Sequence, residues 1–222
     1  SVVWVISGLL SLNFTYLNVT GSAFSLDETQ GSGFWLFISQ IELGQYLLMN
    51  LAGGVVVSIL AISSQRLTSA ALTAAVAMLA LVPLALTGHA SGTANHGMAV
   101  NSLGLHLVAI SIWVGGLIAL TVTRYRAGVS QIEVSRFSSL ALFSFGLVFL
   151  SGLINAQLRI GTLENWMSEY GLLVLLKMAT LAVLGIFGAA YRRKLVASIS
   201  SKPNAFWRIV GLELAIMAIA MG

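Results

Sequence analysis

The 222-residue chain contains no cysteine. That excludes a disulfide framework and any thiolate metal site, so a metal would have to be held by His, Met, Asn, carboxylate or backbone. Charge is almost as scarce. The 11 Lys and Arg and 7 Asp and Glu make up 8% of the residues, against about 25% in a soluble globular domain. So few charges cannot clothe a water-soluble surface of this size. An ordinary soluble enzyme, a disordered protein and a nucleic-acid-binding domain are thereby excluded. Also missing are a phosphate-binding glycine loop, a nucleophile–base constellation and a carboxylate pair of the glycosidase kind, so no enzyme activity is expected. What the chain does have is apolar residues, 58% of the total, gathered in long runs.

A helix needs about 20 apolar residues to cross a hydrocarbon core of about 30 Å. Seven such runs occur, over 2–20, 41–63, 68–88, 100–123, 135–157, 171–191 and 206–222. They are continuous rather than alternating, which excludes a transmembrane β-barrel. The fold class is therefore all-α, a polytopic transmembrane bundle of about seven spans whose first and last can be incomplete. The apolar stretch Gly33-Phe-Trp-Leu-Phe-Ile38 is too greasy for a free loop. Joined to 41–63 it is too long for one span, so a short interfacial helix is expected there.

The basic residues sort by side. Arg66, Arg124, Arg126, Arg136, Arg192, Arg193, Lys194, Lys202 and Arg208 share one side of this topology, and Arg159 and Lys177 belong to the other. The positive-inside rule makes the richer side cytoplasmic. The pI near 9.8 is then a topology signal, with anionic lipid head groups of the bilayer as the expected partner. Nucleic acid is not expected. Small-residue patterns such as Gly53-Gly54, Gly115-Gly116 and Gly185-x-x-x-Ala189 permit close helix contact in lipid. Pro83 is expected to kink the third span near its outer end.

Polar groups inside spans are costly and few. Lys177 enters the sixth span from outside and can snorkel or pair with Glu42 or Glu169. Glu213 lies in the seventh span, and Asn50, Asn155 and Gln157 are expected to be interhelical hydrogen-bond partners. Histidine is the most telling type. The chain has three, His89, His96 and His106, all within 18 residues of the outer hairpin between spans three and four. Antiparallel neighbours joined by a short loop bring His89 and His106 to similar depth, with His96 and Met98 above them. Imidazole ligates late first-row metals and thioether sulfur selects Cu(I). The set suits copper better than structural zinc. The same residues also admit a plainer reading, in which the imidazoles only make hydrogen bonds.

The motifs resemble those of the copper resistance protein D family. Gly88-His89-Ala90 followed by Leu105-His106 and Trp113-Val-Gly115-Gly116-Leu117 is similar to its histidine-bearing hairpin. Downstream, Arg136-Phe137-Ser138, Ser151-Gly152-x-x-Asn155-Ala156, Tyr170-Gly171 with Lys177, and Gly188 to Arg193 agree as well. The resemblance implies a single transmembrane domain of that family over 1–222, as a piece of a longer chain, in a bacterial plasma (inner) membrane. The histidine hairpin would lie on the extracytoplasmic side. His89 and His106 match the family's hairpin histidines and Lys177 its span-six lysine, whereas His96 and Met98 lie outside the motif. The implied function is copper binding for uptake, resistance or delivery to a cuproenzyme such as cytochrome oxidase. Some relatives carry a second domain resembling a cytochrome oxidase assembly factor. Two alternatives remain open at this point. His89 and His106 are also placed to serve as axial ligands of haem b, and the chain can be a structural or assembly subunit of a respiratory complex.

Overall fold

The computed structural model describes residues 2–23, 28–87, 96–128, 130–196 and 211. Among them are eight α-helices and no strand: α1 (Val2–Thr20), α2 (Glu28–Gln40), α3 (Glu42–Ser63), α4 (Leu67–Leu79), α5 (Val82–Leu86), α6 (His96–Ala127), α7 (Gln131–Ile160) and α8 (Glu169–Val196). A 3-10 turn, Leu163–Met167, joins α7 to α8. Six helical segments are long and apolar enough to cross a membrane. The all-α multi-pass architecture read from the sequence is therefore the one observed, and the seventh run, 206–222, lies outside the described residues. The outward surface of the spans is apolar, with exposed Leu172, Leu173, Leu176 and Ile186 along α8 and Val55, Val56 and Ile59 along α3. In lipid that surface needs no cover, because the solvent is as apolar as the side chains.

The chain divides into two compact units, residues 1–104 and 105–222. The first is organised around α3, against which α1, α2, α4 and α5 all pack. Leu12, Tyr16, Phe37, Leu47 and Leu51 form its buried centre. The stretch 33–38 does form a separate helix, α2, set off from α3 by an extended Ile41 (φ −102°, ψ 123°). Phe37 is its buried anchor, against the ring of Tyr16 at 5.7 Å. The Tyr16 hydroxyl donates to the Gln30 carbonyl at 3.2 Å. Gly44 lies so close to the Phe37 carbonyl that no Cβ fits between them.

Pro83 breaks the third span, as expected. Helix α4 stops at Leu79 and α5 restarts at Val82. Proline has no N–H, so the i−4 ladder cannot run through it. Past the break Leu84 N bonds to the Leu81 carbonyl, so the Ala80 carbonyl loses its i+4 donor and accepts instead from Asn50 Nδ2 at 2.7 Å, while Asn50 Oδ1 accepts from Trp4 Nε1 at 3.1 Å. One buried amide on α3 thus ties α1 to the α4–α5 break. A kink in a span is tolerated where a neighbour re-satisfies the backbone in this way.

In the second unit, α6, α7 and α8 enclose Ala109, Trp113, Ala141 and Val148, with Phe137, Phe145 and Leu181 packed against them. Trp113 meets Phe145 edge-on at 5.3 Å. Phe137 fits against Gly116 and Phe145 against Gly185. Of the small residues noted in the sequence, Gly54, Gly116 and Gly185 seat aromatic rings, whereas Gly53 lies closely against Ala80. Helix α7 starts at a capping box. Ser130 Oγ accepts from Glu133 N at 3.2 Å, and the Glu133 carboxylate accepts from Ser130 N at 2.7 Å. It ends at Gly161 (φ 75°), where Gln157 Nε2 donates to the Gly161 carbonyl at 2.8 Å and Gln157 Oε1 accepts from Trp166 Nε1 at 3.2 Å. Gln157 is thus a helix-end clamp and not an interhelical partner.

Two residues should dominate stability in the first unit. Replacing Asn50 with alanine should lower unfolding free energy in detergent by about 1–2 kcal/mol, two interhelical hydrogen bonds at roughly 0.6 kcal/mol each with some penalty for the orphaned groups. Gly44→Ala should do more damage, because the Phe37 backbone must move. Thermal unfolding of the two variants beside the parent checks both the size and the order.

Candidate functional site

The sequence offered His89, His96, His106 and Met98 as metal ligands. His89 lies outside the described residues, as does Glu213. His96 is the first residue of α6, and its side chain lies outside the described set. The polar segment before the fourth span therefore becomes helical earlier than the apolar run implies. Helix α6 opens at 96, not at 100, because nothing in His96-Gly-Met-Ala forbids helix and the backbone bonds close internally wherever the helix runs. Met98 is 57% exposed in its first turn. Lys177 is exposed on α8 and Asn155 half-buried on α7. Among the described residues no group of three or more His, Asp or Glu comes together as a metal cage.

The structure defines one of the four ligand candidates closely. His106 lies about 15 Å along α6 from its first residue, at 1.5 Å per residue. Its ring is half-buried and turned to α7. Nδ1 is 3.0 Å from Ser151 Oγ. Gly152 lies beneath it, where a Cβ would stand 3.6 Å from His106 Cε1. Ser151 is itself almost wholly buried, at 1% exposure. Its hydroxyl also reaches the Leu147 carbonyl at 2.5 Å and the Val148 carbonyl at 3.2 Å.

Ser151-Gly152 carries a role that sequence reasoning missed. The pair was visible as a motif, and the signal for its role was depth. Ser151 lies nine residues before the end of α7, about 14 Å at 1.5 Å per residue. That matches the depth of His106 on the antiparallel α6. A hydroxyl and a glycine at the level of an intramembrane histidine are the partners such a ring needs.

Trp113, two turns further along α6, lies in the same seam but is packing. It is 4% exposed, and its Nε1 has no hydrogen-bond partner among the described residues. The indole contributes ring area against Phe145.

Two family models match the chain. The model for the N-terminal domain of copper resistance protein D-like proteins matches residues 1–100, and that for copper resistance protein D matches residues 131–222. The chain belongs to the copper resistance protein D family. It is 28% identical over 219 residues to the copper transport protein CutJ of Bacillus subtilis (strain 168), an alignment covering 89% of this chain and 39% of that protein. The chain thus spans well under half the length of the curated relative it matches. No solved structure gives a match.

Because the Trp113 N–H is unpaired, Trp113→Phe should change stability by less than about 1 kcal/mol, whereas Trp113→Ala should cost about 3–5 kcal/mol through the cavity it leaves. Equal losses for the two variants in a chemical unfolding series would mean that the indole nitrogen has a partner.

Proposed function

We propose that this chain is the membrane domain of a copper-handling protein, which takes copper on His106 together with His89, His96 and Met98. The observation that carries the reading is the seating of His106. An imidazole is held inside a membrane helix through Nδ1 by a buried hydroxyl on the neighbouring helix. Family membership and the relative named for copper transport support the metal, and the absence of cysteine leaves His and Met as the soft donors. Copper is cargo here and no chemical conversion of it is involved. The chain binds and passes on an ion, as a transporter, a resistance protein or a donor to a cuproenzyme such as cytochrome oxidase.

Binding on one side is better supported than complete translocation. For a path inward the spans offer Met49, Met178 and Asn155 as weak further donors, and Asn155 lies nearer the outer end of α7 than Ser151 does. Met49 is 57% exposed on the outside of α3, and Asn155 is half-buried on α7. Lys177, a cation on α8, is unsuited to a copper path and better suited to snorkelling toward head groups. The histidine end of α6 is extracytoplasmic in this proposal and the arginine-rich end cytoplasmic, in a bacterial plasma membrane. Arg124 and Arg126 in the last turn of α6 and Arg136 near the start of α7 then face the anionic leaflet.

Three measurements test these statements. Elemental analysis of the detergent-purified protein should find copper at near-stoichiometric level, and His89→Ala with His106→Ala should abolish it; unchanged copper in the double variant contradicts the site. An absorption spectrum should lack a Soret band, and its presence would replace copper with haem b. The natural lack of cysteine makes a topology test simple. Thr162→Cys should react with a membrane-impermeant maleimide in intact cells, and Gln65→Cys only after permeabilisation; the reverse pattern inverts the proposed orientation.

A further inference from the structure

The Ser151 hydroxyl has one proton and several neighbours that compete for it. Two of them, the Leu147 and Val148 carbonyls, can only accept a hydrogen bond. The proton therefore goes to a carbonyl, with Leu147 the closer. What Ser151 presents to His106 is a lone pair, and the shared contact at 3.0 Å requires His106 Nδ1 to carry a hydrogen. The hydroxyl that α7 turns to this ring thus asks for an N–H.

We infer that Ser151 is a positioning residue that fixes His106 in the tautomer protonated at Nδ1, so that Nε2 is presented as a bare lone pair on the edge of the ring away from α7. A neutral imidazole donates from one nitrogen and accepts or ligates through the other, and the hydrogen bond to the first selects the second. Burial makes the selection firm. At 1% exposure, Ser151 has no water to bond in place of the ring. Gly152 keeps the approach open, since a Cβ there would sit at ordinary contact distance from Cε1 and a longer side chain would push the ring off its hydroxyl. The arrangement has the form of an outer-shell partner, a protein acceptor that orients a ligating histidine from behind. It rests on the reading of His106 as a copper ligand, but it makes a claim about the metal-free protein that stands or falls separately.

That separation defines the test. In detergent-solubilised protein labelled with 15N-histidine, the His106 signals, assigned by their loss in His106→Asn, should show a protonated Nδ1 and a pyridine-like Nε2 without any copper present. Ser151→Ala should release that preference, and Ser151→Thr, which keeps the hydroxyl, should restore it. In parallel, Cu(I) affinity measured by chelator competition should fall about 10–100-fold in Ser151→Ala, the usual loss for an outer-shell partner, and recover in Ser151→Thr. A wild-type His106 protonated at Nε2, or a tautomer indifferent to Ser151→Ala, overturns the positioning role. If instead the tautomer behaves as stated while neither Ser151→Ala nor His106→Asn alters copper affinity, the positioning stands and the copper reading falls.

Discussion

Hydrocarbon supplies no hydrogen bonds, and that single constraint explains most of what is polar in this protein. An N–H, hydroxyl or amide drawn into a span gains by finding its partner within the protein, and Trp113 Nε1 is an exception among the described residues. Asn50 meets the demand twice, closing on the Ala80 carbonyl and the Trp4 indole. Serines and threonines meet it by bonding back to their own helix, as Ser58, Ser111 and Thr121 do toward the carbonyls four residues earlier. His106 cannot bond to its own helix in this way and has to borrow from α7. The need for a partner turns an isolated intramembrane histidine into an oriented one.

The same constraint divides structural polar residues from functional ones. Asn50, Gln157 and Asn165 have both sides of their amide chemistry, or the donor half of it, used on backbone and indole groups that the helix breaks and ends expose. They complete the fold. His106 differs, because α7 engages one nitrogen and the neutral ring has a second with the opposite character. Met98, in the first turn of the same helix, is also exposed, as are Met49 and Met167 elsewhere.

Much of this was legible in the sequence. The all-α class and six of the seven expected spans followed from run length, since a helix satisfies its backbone internally in lipid. The break at Pro83 followed from a missing N–H. Gly33 to Ile38 were readable as a separate helix from length alone. Helix ends were less legible where polar residues extend a helix past its apolar run. Helix α7 begins at 131 through the Ser130-x-x-Glu133 box, a signal that hydropathy does not register, and α6 begins at 96 inside an apparently polar loop. For the site, three histidines within 18 residues were plain to see, and of these only the ring of His106 lies within the described residues. Ser151 was not plain, because a serine in a span is usually bonded to its own helix. Only the register of α6 against α7 tells that this one also faces an imidazole.

The central claim is that copper meets an imidazole whose far side is held by α7. Copper K-edge X-ray absorption of the purified protein loaded with one equivalent of Cu(I) reports on it most directly. The account predicts the outer-shell multiple scattering typical of imidazole ligands, diminished when His106 is replaced. A spectrum without imidazole scattering, or one that survives replacement of His106 unchanged, would contradict it.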